Sequence, residues 1–129
     1  MEIVIDTNFI ITCMKNKVDL FLQLENLFPG DKIVVPKQVI WELEKLVDKT
    51  RKIKDRQAVE ISLKMLKNNT YFSPDLKTND VDKGILNYLK NSDKSVLGTM
   101  DRELKESIRK NKLNVRFLRI KSKKKIEIV

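Results

Sequence analysis

The chain has 129 residues, with 27 Lys and Arg against 18 Asp and Glu and no histidine, so its formal charge is +9. Its 41 % apolar content, 35 % charged content, three Pro and three Gly predict one compact domain over residues 1–129 and exclude a disordered chain. A single cysteine, Cys13, excludes an intrachain disulfide and a multi-Cys zinc site, and the missing histidine excludes His-based triads, His-driven RNA cleavage and the usual zinc or iron centres.

Glu2–Ile5 is a short β run closed by Asp6, and residues 8–14 then predict a short helix capped by Asp6 or Thr7. From Asp19 to Phe28, the residues Leu20, Phe21, Leu24, Leu27 and Phe28 make a helical stripe, stopped by Pro29-Gly30. Ile33-Val34-Val35 is a second β run ended by Pro36. Helical spacing returns from Lys37 to about Asp48 through Val39, Ile40, Leu43, Leu46 and Val47. The basic stretch 49–56 reads as a connection into a helix over roughly 55–68, and 68–75 is the most loop-like segment. A helix at about 80–91, a β run at Ser95–Gly98, a helix at about 102–111 and a strand from Val115 to Ile120 follow. The basic turn Lys121, Ser122, Lys123, Lys124, Lys125 leads to a last β run, Ile126 to Val129, which can add an edge strand or pair with a second copy in a homodimer.

Short β runs alternating with helices predict parallel βαβ units, hence an α/β three-layer sandwich with a central parallel sheet flanked by helices. Sites in such sheets lie at the C-terminal strand ends, near a topological switch point. The chain has neither a Gly-x-Gly-x-x-Gly nor a P-loop motif, which excludes those nucleotide-binding readings. The opening Met1-Glu-Ile-Val-Ile-Asp6 lacks a basic leader, and no stretch approaches the roughly eighteen apolar residues of a membrane span, so a cytoplasmic protein without a membrane partner is expected. The basic balance favours an anionic partner, nucleic acid before a membrane surface, with simple solubility an equally good reading of the charge alone.

Helical phase sorts the acids. In the helix after Asn79, Asp82 falls on the stripe of Ile85, Leu86 and Leu89, while Asp80 points away. Asp101 shares a face with Leu104 and Ile108, Asp6 ends the first β run, and Glu42 borders the Val39/Leu43/Leu46 stripe. Each has an ordinary explanation: Asp6 and Asp101 as N-caps, Asp82 as a charge favouring a helix N-terminus, Glu42 as a solvated edge residue. Together they are harder to dismiss. Two carboxylates about 6 Å apart repel by roughly 2–3 kcal/mol at an effective dielectric near 20. Such a group persists with shared protons, basic neighbours or bound cations, and all-oxygen ligands suit Mg²⁺ or Mn²⁺.

Ile-Val-Ile-Asp6-Thr7-Asn8, Val35-Pro36-Lys-Gln-Val-Ile-Trp-Glu42-Leu43, Asp82-x-x-Ile85 and Thr99-Met-Asp101, in that order and spacing, resemble the PIN-domain nucleases across almost the whole chain. The stretch from Thr99 to Arg109, with Pro36 to Leu46, is most similar to the archaeal and eukaryotic branch that processes small-subunit ribosomal RNA; prokaryotic toxin ribonucleases share the same acids. The resemblance implies that Asp6, Glu42, Asp82 and Asp101 are catalytic and ligate one or two divalent ions, supported by Thr7, Asn8 and Thr99. It implies metal-assisted hydrolysis of RNA, single-stranded or locally unpaired, because the scissile phosphate must reach a recessed acidic site.

A basic rim is then required, and Arg51, Lys52, Lys54, Arg56, Arg102 and Lys105 are its candidate RNA-binding residues, with Lys121 and Lys123 to Lys125 as a further cluster. Tyr71 and Phe72 are read as anchors of their loop in preference to base-stacking residues, and Trp41 as a packing residue. Cys13 is read as a buried small hydrophobe. Two further functions stand beside the processing nuclease: a toxin ribonuclease held by an antitoxin chain, and a non-catalytic RNA-binding ribosome assembly factor of the same fold.

Overall fold

The structure, a computed structural model, describes residues 1–122 and 124–129. Strand β1 (Glu2–Ile5) leads into α1 (Thr7–Lys15) and α2 (Leu20–Leu27), then β2 (Lys32–Val34), α3 (Lys37–Lys49) and α4 (Ile53–Lys67). After a long connection come α5 (Val81–Lys90), β3 (Ser95–Gly98), α6 (Arg102–Lys110), β4 (Val115–Lys121) and β5 (Lys125–Ile128). The predicted element order is observed throughout. Lys123, part of the predicted basic turn, lies outside the described residues.

Aspartates mark the helix starts. Asp6, Asp19, Asp80 and Asp101 each sit just before a helix and accept one or more of its first N–H groups, which otherwise lack partners. At the end of α2 the chain turns through Pro29 and Gly30, whose φ of +82° suits a residue without a Cβ. Helix α4 begins at Ile53, two residues before the expected start and without a side-chain cap at Lys52. Lys54 and Arg56 are therefore helical, and only residues 50–52 connect α3 to α4.

The five strands form one sheet in the order β2-β1-β3-β4-β5. The first four are parallel, whereas β5 is antiparallel to β4, pairing Leu118 with Ile128 through Lys121 with Lys125. The final β run thus satisfies its ladder within its own chain, as an edge strand. Both sheet faces are covered: Ile3 and Ile5 of β1 turn into a core shared with α1 to α4, and Val4 into a second core with α5 and α6. That alternation is the period-two geometry of a strand buried on both sides.

The segment between α4 and α5 is more ordered than a plain loop. Phe72 forms a parallel bridge to Val34, its N–H donating to Ile33 (2.8 Å) and its carbonyl accepting from Val35 (2.9 Å). Tyr71 packs on Phe21 at 6.3 Å between ring centroids, as an anchor should. Gln38 of α3 clasps the same segment, donating to Asp75 (2.7 Å) and accepting from the Leu76 N–H (2.9 Å). From β1 the chain passes to β2 on one side and later to β3 on the other, so the β1/β3 boundary is the switch point.

Candidate active site

Asp6 ends β1 at that boundary. Its own N–H donates to the Gly98 carbonyl at the end of β3 (2.9 Å), which ties the two strand ends together. One carboxylate oxygen, Oδ1, accepts the Thr7 N–H at 2.7 Å; the other, Oδ2, accepts the Thr99 hydroxyl at 2.9 Å. Only 6 % of the residue is exposed, and burial raises its pKa above the ordinary aspartate value. The Thr7 and Thr99 hydrogen bonds oppose that rise, whereas the charges of Glu42 and Asp101 add to it.

Thr99 is fully buried and links two acids, since its Oγ1 also accepts the Asp101 N–H at 3.1 Å. Asp101 caps α6 through Oδ1, which accepts from Glu103 (2.9 Å) and Leu104 (3.2 Å). Asp82, in the first turn of α5, stands beside Asp101. Partial desolvation, the hydrogen bond with Asp101 and the charges of Asp101, Asp6 and Asp80 push Asp82 up to about 7. Its side chain is exposed to solvent, so the neighbouring carboxylates are the firmer cause. Asp101 moves the opposite way, held low by Asp82 and by the N–H groups it caps.

The structure therefore brings Asp6, Asp101 and Asp82 together, with Glu42 half-buried on α3 and near enough to act on Asp6. Asp82 corrects the phase argument: it faces the other acids but is exposed, and the buried stripe of α5 begins only at Gly84 and Ile85. Among the described residues, no three Asp, Glu or Cys side chains close into a preformed metal cage. The donor set still fits a hard cation, being carboxylate and hydroxyl oxygen with an excess of negative charge.

Of the other predicted residues, Thr7 supplies its backbone N–H to Asp6, while its buried Oγ1 has no partner. Asn8 is exposed in the first turn of α1. Arg102 is exposed next to Asp101, and Lys105 lines a cavity that Thr99 also lines. Arg51, Lys52, Lys54 and Arg56 are not brought to the acids. A Lys15–Asp55 ion pair (2.6 Å) holds the start of α4 at the C-terminal end of α1, while Asp6 is at its beginning, about 13 Å away by helical rise. Trp41 is 48 % exposed beside Glu42 and is not part of the core.

Two acids that helical phase sets apart also flank the site. Asp80 and Glu103 line a cleft of about 230 Å³ with Asp82, between the starts of α5 and α6. The signal was the repeated spacing Asp80-x-Asp82 and Asp101-x-Glu103, one pair at each helix start.

These features define a class: an α/β domain with helices on both sheet faces and an all-oxygen, carboxylate-rich site at the switch point. The PIN like domain family matches residues 3–121, and the chain belongs to the PIN-domain nuclease family. Ribonuclease VapC4 of Methanocaldococcus jannaschii is 34 % identical over 128 residues, covering 98 % of this chain and 95 % of that protein. The structure of the PIN domain endonuclease Utp24 superposes with a TM-score of 0.78 at 28 % identity, over 98 % of this chain and 90 % of that one. A domain of a functionally unknown Methanocaldococcus jannaschii protein shares the fold, with a TM-score of 0.59 at 18 % identity over 99 % of this chain and 97 % of that one.

Proposed function

We propose that this protein is a divalent-metal-dependent endoribonuclease acting on single-stranded or locally unpaired RNA, in RNA or ribosomal RNA processing. One observation carries the reading: Asp6 is a nearly buried carboxylate, pinned at both oxygens, within reach of the charges of Glu42 and Asp101. Burying and crowding an acid in this way is costly for stability alone and fits a cation ligand. The likeness to Ribonuclease VapC4 and to the endonuclease Utp24 supports nucleolytic chemistry, and the Utp24 likeness favours a processing role.

Asp6, Glu42, Asp82 and Asp101 would hold Mg²⁺ or Mn²⁺, which when bound lowers the pKa of water and offsets charge on the phosphate. Thr99 and the Thr7 N–H orient Asp6, and the start of α6 orients Asp101. Asp82, its carboxyl pushed up to about 7 by partial desolvation and the neighbouring carboxylates, would give up its proton to act as a ligand. Trp41, exposed next to Glu42, offers a flat face to an unpaired base.

The test is cleavage of a mixed structured and single-stranded RNA pool with Mg²⁺, Mn²⁺ or EDTA, comparing wild type with Asp6→Asn and Asp82→Asn. Metal-dependent cutting lost in both variants is the expected result. Cutting that persists in either variant refutes the ligand assignment, and metal-independent RNA binding without cutting points to the assembly factor. Growth arrest on expression, relieved by a small co-expressed partner, would move the role from processing to toxin.

A further inference from the structure

The site has two unlike flanks. On the α5/α6 side the cleft carries Asp80, Asp82 and Glu103 against a single cation, Lys83. A second groove, of about 280 Å³, is walled by Thr99 and Met100 together with Lys105, Arg119, Lys121 and Lys124. None of the groove-lining residues is acidic.

Strand register explains the groove. Gly98, the last residue of β3, pairs with Leu118, so β4 runs on through Arg119, Ile120 and Lys121 past the end of its neighbour. Three residues of strand extend the wall by about 10 Å. Helix α1 supplies the facing side through Thr12 and Asn16. The hairpin wall is braced from α2: Gln23 donates to the Lys124 carbonyl and accepts the Ile126 N–H (2.6 Å). Glu127 of β5 ion-pairs with Arg119 and lies 3.8 Å from Lys121, which moderates the positive charge.

We propose that this groove is the track along which the RNA backbone runs beside the scissile position, with Lys105, Lys121 and Lys124 as its phosphate contacts. The inference rests on the nuclease reading above. A polyanion at Asp6 is repelled by the acidic cleft and drawn along the cationic groove, so one direction over the surface is favoured. Lys105 is held ready there, half-buried with its ammonium 5.8 Å from the Phe117 ring centre.

The experiment measures binding of a labelled single-stranded oligouridine to the full chain in EDTA, by anisotropy across a salt series. Lys121→Ala/Lys124→Ala should weaken binding about tenfold and reduce the slope of log K against log salt by roughly 1.4, two phosphate contacts at about 0.7 each. Lys90→Ala/Lys94→Ala removes equal charge near the opposite end of the strands and should change affinity less than about twofold. Glu127→Gln should tighten binding, a gain that partial unfolding does not mimic. Equal losses from both lysine pairs, no loss from the first pair, or no RNA binding by wild type overturns the groove.

Cleavage separates the two claims. With metal, the Lys121/Lys124 pair should raise KM and leave kcat near wild type. Localised binding loss without any cleavage leaves the groove standing and the nuclease reading fallen; metal-dependent cleavage with unchanged affinity and KM does the reverse.

Discussion

Thr99→Val removes a hydroxyl from the centre of the site while keeping the shape of the side chain. Thr99 is fully buried and its Oγ1 has two bonds: it donates to Asp6 Oδ2 at 2.9 Å and accepts from the Asp101 N–H at 3.1 Å. A hydrogen bond to a charged group contributes about 1.5–3 kcal/mol, and stranding the half-buried Asp101 N–H adds about 0.5–1 kcal/mol. The variant should therefore lose roughly 2–4 kcal/mol at about pH 8. The loss should depend on pH, because the lost donor stabilised the charged form of Asp6. Without it, an Asp6 pKa already raised by burial rises further. Stability linked to a raised carboxyl pKa is fully present below the unfolded value of 3.8 and is lost as pH climbs through the folded value. The gap between variant and wild type must then open as pH rises and narrow to about 1–2.5 kcal/mol near pH 4, where a neutral bond to Asp6 and the partner of the Asp101 N–H are missing.

The assay is urea unfolding in EDTA at about pH 4 and about pH 8, with Thr99→Ser as the rescue. Serine keeps the hydroxyl and loses one methyl, a cost of about 1 kcal/mol that does not vary with pH. Equal losses for Thr99→Val at both pH values, or a serine variant no better than valine at high pH, would refute the coupling between Thr99 and the Asp6 charge.

Asp82→Asn should stabilise the metal-free protein above about pH 7, where wild-type Asp82 is forced to ionise among acids. Because the side chain is exposed, the gain is held to about 0.5–1 kcal/mol, vanishes below the unfolded value of 3.8 and is read from denaturation in EDTA across pH. A new Cβ at Gly84 meets Leu76 Cβ and Thr78 Cγ2 at 2.9 Å, so Gly84→Ala should destabilise by about 1 kcal/mol. The clash outweighs the helix-propensity gain of about 0.8–1 kcal/mol because Leu76 Cβ is fixed to its backbone, and thermal melts would check the sign. Cys13 is buried with its thiol pushed up to about 12, so native protein should resist iodoacetamide at neutral pH while denatured protein reacts at once.

Element order was legible because its punctuation is chemical: Asp6, Asp19, Asp80 and Asp101 cap helices, and Pro29-Gly30 stops one. The parallel run of β1 to β4 was legible too, but the direction of β5 was not, since Ile126 to Val129 reads equally well as an edge strand or an intermolecular one until its partner is known. The start of α4 was missed because Ile53-Lys54 follows a lysine-rich stretch and Lys52 offers no cap. Helical phase gave Asp82 its direction but not its exposure, because phase says nothing of whether another element overlies a helix's first turn. Trp41 failed for the same reason. Charge clusters were legible as clusters, yet Arg51, Lys52, Lys54 and Arg56 lie at the far end of α1, while Arg119, isolated in a strand, lines the groove.

The two explanations offered for Asp6 and Asp101, helix cap or site residue, turn out to be one. In a parallel sheet the C-terminal end of a strand is followed by a helix N-terminus, where unpaired N–H groups and the helix dipole favour a carboxylate by about 0.3–1 kcal/mol. Asp101 spends Oδ1 on two N–H groups, and its other oxygen makes neither capping bond; Asp6 is held at one oxygen by its helix and at the other by Thr99. Capping thus offsets part of the repulsion and fixes the direction of each carboxylate. Asp82 and Glu42 cap nothing, so they meet the repulsion without that compensation, and partial desolvation together with the neighbouring carboxylates pushes the Asp82 carboxyl up to about 7. A site built this way has two acids, Asp6 and Asp101, fixed in direction by helix starts, and two, Asp82 and Glu42, that no helix start holds.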